Sequence, residues 1–297
     1  MTTRTVRLPL PVDLRPTMAP LRVGASDPTV RLTADEMLRA SHTPEGPVTL
    51  HVRVTGDVAA IEAWGVGADW ALQHAPDLVG ATDDLTGFDA GLHPVVARCA
   101  RRAPGVRMIR SGLVTDVLVQ TILGQKVTGL EAKRSWAWMV RRLGRPAPGP
   151  GDMLVPPTAE RLAAAAYWEL HEAGVERTRA VTIIEACRRI DRLQEAATMG
   201  PAESRARLTA VGGIGDWTAA IIARVAFGDA DAVETGDYHL PNTIGWNLAG
   251  EERADDHRML ELLAPFAPHR GRTLRLIEVA GQPAPRHAPR MPPSQVM

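Results

Sequence analysis

The chain has 297 residues, 45% of them hydrophobic, with 34 basic and 34 acidic side chains and a formal net charge of zero. Such a length and apolar content suit one large or two modest packed domains, and the absence of any uninterrupted apolar window of about 18 residues argues against a membrane span. Two cysteines, Cys99 and Cys187, cannot ligate a four-cysteine iron–sulfur cluster or zinc site, and in helix-like segments they read as buried small hydrophobes.

The N-terminal MTTRTVRLPLPVDLRP breaks its apolar stretch with prolines and lacks a secretory h-region, so a cytoplasmic protein is expected. Residues 5–75 read as a small α+β unit. Val48 to Thr55 alternates apolar and polar residues, as a strand with one buried face should. Residues 5–12 and 29–33 are weaker strand candidates, and residues 57–75, with Trp64 and Trp70, read as helix.

From about residue 83 the pattern turns helical. Apolar positions from Leu113 through Leu123, Val127 and Trp136 to Leu143 predict helix over 112–143, with Gly124 and Gly129 marking a bend or a close approach. Proline and glycine make 144–157 a loop. Further helices are expected near 158–172, 176–196, 203–210, 216–227, 241–249, 254–264 and 270–280, and a disordered tail over 282–297. The fold class is therefore α+β and mainly α, with units at 1–80 and 81–281.

Charge is unevenly spread. Residues 98–145 carry 11 basic and 2 acidic side chains, against 7 and 12 in residues 1–97 and 16 and 20 in residues 146–297. A sign excess confined to 48 residues reads as a footprint for a polyanion.

The most informative stretch runs from Leu208 to Asn242. A short helix ends at Val211, Gly212-Gly213-Ile214-Gly215 turns, and a second helix starts at Asp216 or Trp217. Glycines at 213 and 215 permit positive φ and close approach of another backbone. Free N–H groups at the mouth of the second helix would suit a phosphate. About twenty residues on comes Gly236-Asp237-Tyr238-His239, where Asp237 can cap a helix.

Hairpin and Gly-Asp together resemble the signature of the helix-hairpin-helix DNA glycosylases, and Ile122-Leu123-Gly124-Gln125 resembles a second element of that family. The 3-methyladenine DNA glycosylase II branch, the AlkA-like proteins, is the nearest resemblance. It implies a small N-terminal antiparallel β domain like the TATA-binding protein, beside a helical bundle. Asp237 would be the catalytic carboxylate. Trp217, Ile221, Tyr238 and His269 would line a base pocket. Gln125, Lys126, Gly213, Gly215 and Thr218 would contact DNA, with Lys126 at the wedge that fills the gap left by an extruded base.

Bifunctional relatives carry a lysine nucleophile two residues after the hairpin. Trp217 stands there, so a monofunctional enzyme of base excision repair is implied, with no lyase step, cofactor or metal. Its expected partner is double-stranded DNA holding a damaged base, an alkylated purine first, and its expected form a monomer on a bacterial nucleoid. Two alternatives stay open: a glycosylase for deaminated or oxidised bases, and a non-catalytic binder of damaged DNA. Asp216 puts a negative charge by the phosphate site, and Ile221 and His269 stand where the branch has aromatic residues. Asp237-x-His239 is too sparse for a metal site.

Overall fold

The computed structural model describes residues 1–285. Five antiparallel strands form the N-terminal sheet: β1 (Thr2–Arg7), β2 (Val30–Leu32), β3 (Glu36–Thr43), β4 (Gly46–Thr55) and β5 (Val58–Trp64), in the order β1-β5-β4-β3-β2. Alternation decides which face is buried: Val48, Leu50 and Val52 of β4 and Ala59, Ile61 and Ala63 of β5 all point inward. The helix α1 (Leu14–Met18) lies between the first two strands in sequence, and α2 (Ala68–Gln73) packs on β4 and β5 ahead of α3 (Ala75–Leu78).

The remaining helices are α4 (Pro94–Arg102), α5 (Val114–Leu123), α6 (Gly129–Leu143), α7 (Ala159–Ala163), α8 (Tyr167–His171), α9 (Arg177–Cys187), α10 (Ile190–Gln194), α11 (Pro201–Thr209), α12 (Asp216–Ala226), α13 (Leu240–Ala249), α14 (Asp256–Leu263) and α15 (Arg270–Ala280). At the centre lies α5. Val114, Val117, Leu118, Val119, Ile122 and Leu123 are all buried, so apolar residues surround its axis, and it contacts α6, α9 and α12. Burial of each such side chain contributes roughly 1.5–3 kcal/mol.

One apolar cluster joins sheet residues to this helical core. Two polar ties cross the same boundary. Arg39 of β3 pairs with Asp116 of α5 at 3.0 Å, both buried. Trp136 of α6 is 1% exposed and donates its indole N–H to Asp27 at 3.0 Å, which satisfies the one polar atom of that ring.

Several expected elements take another form. Residues 57–75 hold β5 and only then the short α2, because Val58–Trp64 is paired on both sides, with β1 and with β4. The first strand runs over Thr2–Arg7 rather than 5–12, and β3 lies in a stretch read as no element. The expected helix over 112–143 is two helices. Lys126 adopts φ +54° between them, and Thr128 and Glu131 form a capping box that starts α6 afresh. Helices expected over 158–172 and 176–196 are likewise each divided, and the loop 144–157 contains a two-residue ladder, β6 (Arg145–Pro146) with β7 (Leu154–Val155). Most of the expected tail, residues 286–297, lies outside the described residues.

Candidate active site

Three segments meet at the C-terminal end of α5. The first is the turn that leaves the helix. Gly124 caps it, and a Cβ there would lie 3.6 Å from Cη2 of Trp217, an ordinary van der Waals contact that places the indole beside the helix end. Buried Arg179 of α9 donates to the Leu123 carbonyl at 2.9 Å and holds this turn from beneath.

The second is the hairpin between α11 and α12. Gly213 adopts φ +88°, and any side chain there would collide with Thr182 of α9. Gly215 departs from expectation. Its φ is −93°, and a Cβ would enter open space, so neither strain nor crowding demands glycine at that position. Gln125 ties the first segment to the second: its Nε2 donates to Gly213 O and to Thr218 Oγ1, each at 2.9 Å. Thr218 is 1% exposed, so its side chain belongs to this internal tie. The charge of Asp216 is offset by Arg205 of α11 at 2.7 Å. Gly215 offers no capping side chain to the first turn of α12, which leaves the approach to those amides open.

The third is the loop ahead of α13. Gly236 adopts φ +88°, and its N–H is anchored to Asp256 Oδ2 at 2.8 Å. Asp237 follows. One carboxylate oxygen accepts from the backbone N–H groups of His239 and Leu240, at 2.7 and 3.0 Å, and caps the helix. The other accepts from Trp217 Nε1 at 3.1 Å. Three donors thus fix the orientation of one half-exposed carboxylate. Tyr238 beside it is 75% exposed, with its ring edge-on to His239. Ile221 lies one turn along α12 from Trp217, partly buried. Lys126 is exposed and adjacent to Gln125 in sequence.

His269 does not join this cluster. The backbone N–H groups of Ser111 and Gly112, ahead of α5, bond to Val225 and Ala226 at the end of α12, whereas Trp217 meets the other end of α5. The two helices are therefore antiparallel. His269 lines a cleft of about 250 Å³ with Arg110, Gly228 and Ala230, at the end of α12 opposite Trp217, and the intervening helix is roughly 16 Å long. Both of its ring nitrogens are already used. Nδ1 accepts from Arg272 at 3.2 Å, so Nε2 carries the proton and donates to Thr86 O at 2.9 Å. Arg179, Arg205 and Asp256 support the site, and no local pattern marks them because each acts across the fold on another element.

The whole architecture, sheet and helices together, matches solved structures at low identity. A 3-methyladenine DNA glycosylase from Archaeoglobus fulgidus aligns with a TM-score of 0.80 and 17% identity, over 93% of this chain and 98% of that one. The fold is that of the helix-hairpin-helix DNA glycosylases. An 8-oxoguanine glycosylase/lyase from Clostridium acetobutylicum aligns with a TM-score of 0.74 and 13% identity, over 94% of this chain and 96% of that one. The Schizosaccharomyces pombe 3-methyladenine DNA glycosylase Mag1, solved with abasic DNA, aligns with a TM-score of 0.54 and 16% identity, over 67% and 97%. No protein-family model and no curated protein sequence matches the chain. Among the described residues no helix is long and apolar enough to cross a membrane.

Proposed function

We propose that this protein is a monofunctional DNA N-glycosylase that removes a damaged base from double-stranded DNA and leaves an abasic strand. The observation that carries this reading is Asp237, a carboxylate fixed by Trp217 and by the start of α13, beside a hairpin whose helix mouth is open. The shared fold with glycosylases supports it.

The chemistry follows from the geometry. A base stacked in a duplex must be extruded, at a cost of a few kcal/mol that damage reduces. Backbone amides at the hairpin hold a phosphate, and Lys126, on the neighbouring turn, stands at the gap left in the stack. As the glycosidic bond lengthens, positive charge develops on the sugar, and the Asp237 carboxylate stabilises it. Water adds to the sugar carbon and gives up one proton to solvent, and the base departs with the bonding electron pair. The chain has only two lysines, Lys126 and Lys133, and neither follows the hairpin in sequence, so hydrolysis is favoured over a Schiff base.

Alkylated purines are the first substrate class. A base made cationic by alkylation leaves without a strong general acid and favours an aromatic wall such as the face of Trp217 or Tyr238. Deaminated or oxidised bases are the second reading, favoured by Ile221, which offers no ring face. Release of bases from methylated, deaminated and oxidised duplexes, by the parent and by Asp237→Asn, tests the proposal. The variant is expected to lose on the order of 100-fold or more in rate while still binding abasic-site DNA. Equal rates would reject Asp237 as the catalytic carboxylate.

A further inference from the structure

A second surface lies on α6, apart from the Asp237 site. Leu130, Lys133, Arg134, Ala137, Trp138, Arg141 and Arg142 fall at helical spacing on one stripe, where apolar and basic turns alternate. Ser26, on the segment between α1 and β2, faces the stripe and closes a groove of about 590 Å³. The Arg141 guanidinium bonds Ser26 O at 3.3 Å and fixes one edge. The Lys133 stem lies over Gly24. Leu130 is 46% exposed, a large apolar side chain left open to water. No carboxylate lines the groove, and no ion pair among the described residues engages Lys133, Arg134, Arg141 or Arg142.

We propose that this groove binds an acidic, amphipathic peptide segment of a partner protein. Charge complementarity selects the acid: four cations without a counter-ion meet carboxylates spaced about one helical turn apart. The floor selects the apolar component. Leu130 and Trp138, over the buried Ala137, gain from burial under bulky apolar side chains, and duplex DNA brings phosphates but no such group to an apolar floor. The stripe runs along the helix from Leu130 to Arg142, roughly 18 Å, enough for about three turns of a bound helix. The protein's own residues 286–297 do not complement it, since they include Arg286 and Arg290 and no acid.

The test uses a fluorescein-labelled 12-residue peptide of Asp, Leu and Phe with acidic and apolar pairs alternating at helical spacing. Anisotropy is measured on the full chain and on an Arg134→Glu, Arg142→Glu double variant, whose exposed side chains leave the core untouched. Circular dichroism confirms the fold, and binding to an abasic-site duplex is measured in parallel. Saturable binding is expected for the parent. The double variant should weaken it at least about tenfold while DNA affinity stays within about twofold. Replacing Leu and Phe of the peptide by Ser should weaken it similarly. Absence of saturation up to millimolar peptide, or equal binding by parent and variant, overturns the proposal. So does a variant that loses DNA affinity, because the stripe would then be part of the DNA footprint.

Discussion

The indole N–H of Trp217 and the Oδ2 of Asp237 are hydrogen-bonded at 3.1 Å, joining the first turn of α12 to the first residue after Gly236. Trp217 thereby helps to fix the orientation of the carboxylate proposed as catalytic. Trp217→Phe keeps most of the ring and removes only the donor. Base release is expected to fall about tenfold, in line with the loss of one hydrogen bond to a charged group. Affinity for abasic-site DNA should change much less. Single-turnover rates alongside equilibrium binding separate the two effects, and a parallel fall in both would make Trp217 a binding residue only.

The two hairpin glycines should respond differently. At Gly213 the positive φ and the collision with Thr182 both oppose a side chain, so Gly213→Ala is expected to destabilise the fold by about 2 kcal/mol or more. Gly215 has ordinary extended backbone and open space, so Gly215→Ala should melt close to the parent. If α12 receives a phosphate, the added methyl weakens binding to unrelated DNA sequences alike. Thermal melts and affinities for two unrelated duplexes check both statements, and unchanged affinity in Gly215→Ala would remove the hairpin from the DNA contact.

Much of this was legible before the fold was known, for physical reasons specific to each residue. Asp237 and the hairpin were readable because turn and cap chemistry is local: glycines, a capping Asp and a following apolar run lie within a few residues of one another. The capping box Thr128-Gly-Leu-Glu131 was equally local, and it marks the break that the apolar periodicity of 112–143 concealed. Residues 58–64 misled because strand pairing with β1 and β4, a long-range effect, overrides a helix-like composition. His269 misled for a related reason. Its place depends on the antiparallel packing of α5 and α12, which no local pattern encodes.

Lys126 combines an exposed amine with φ +54°, a conformation that costs a non-glycine residue about 1 kcal/mol. Lys126→Gly is accordingly expected to match or exceed the parent in stability by up to about 1 kcal/mol. Lys126→Leu should retain base release on a readily extruded lesion and lower the salt dependence of DNA binding by about one phosphate contact at most. Borohydride should trap no adduct with the parent. A trapped adduct that disappears in Lys126→Leu would identify this amine as a nucleophile and replace hydrolysis by a lyase mechanism.

The tie between sheet and helices predicts a pH dependence of stability. Burial pushes the Asp116 carboxyl up to about 6; the Arg39 guanidinium opposes the rise, and Asp27 adds to it. An acid whose folded value is raised binds its proton more tightly in the native state. Its contribution is therefore complete below the ordinary carboxylate range and is lost as pH rises from about 4 through about 6. Other groups titrate over the same span, so the informative quantity is the difference between the parent and Asp116→Asn in urea unfolding. That difference should shift in favour of the variant by on the order of 1–3 kcal/mol between pH 4 and pH 7.5. Arg39→Met supplies the second arm. Without the guanidinium, the carboxyl keeps its burial and loses the group that opposes the rise, so the midpoint of the slope should move above 6. A double variant, Arg39→Met with Asp116→Leu, should show no slope from this pair. It should also recover much of the stability lost by Arg39→Met alone, because two apolar side chains replace a buried pair more easily than one charge is left unpaired. A parent-minus-variant difference that is flat from pH 4 to 7.5 would overturn this, because it would mean that the folded carboxyl titrates as in the unfolded chain and that Arg39 cancels the effect of burial.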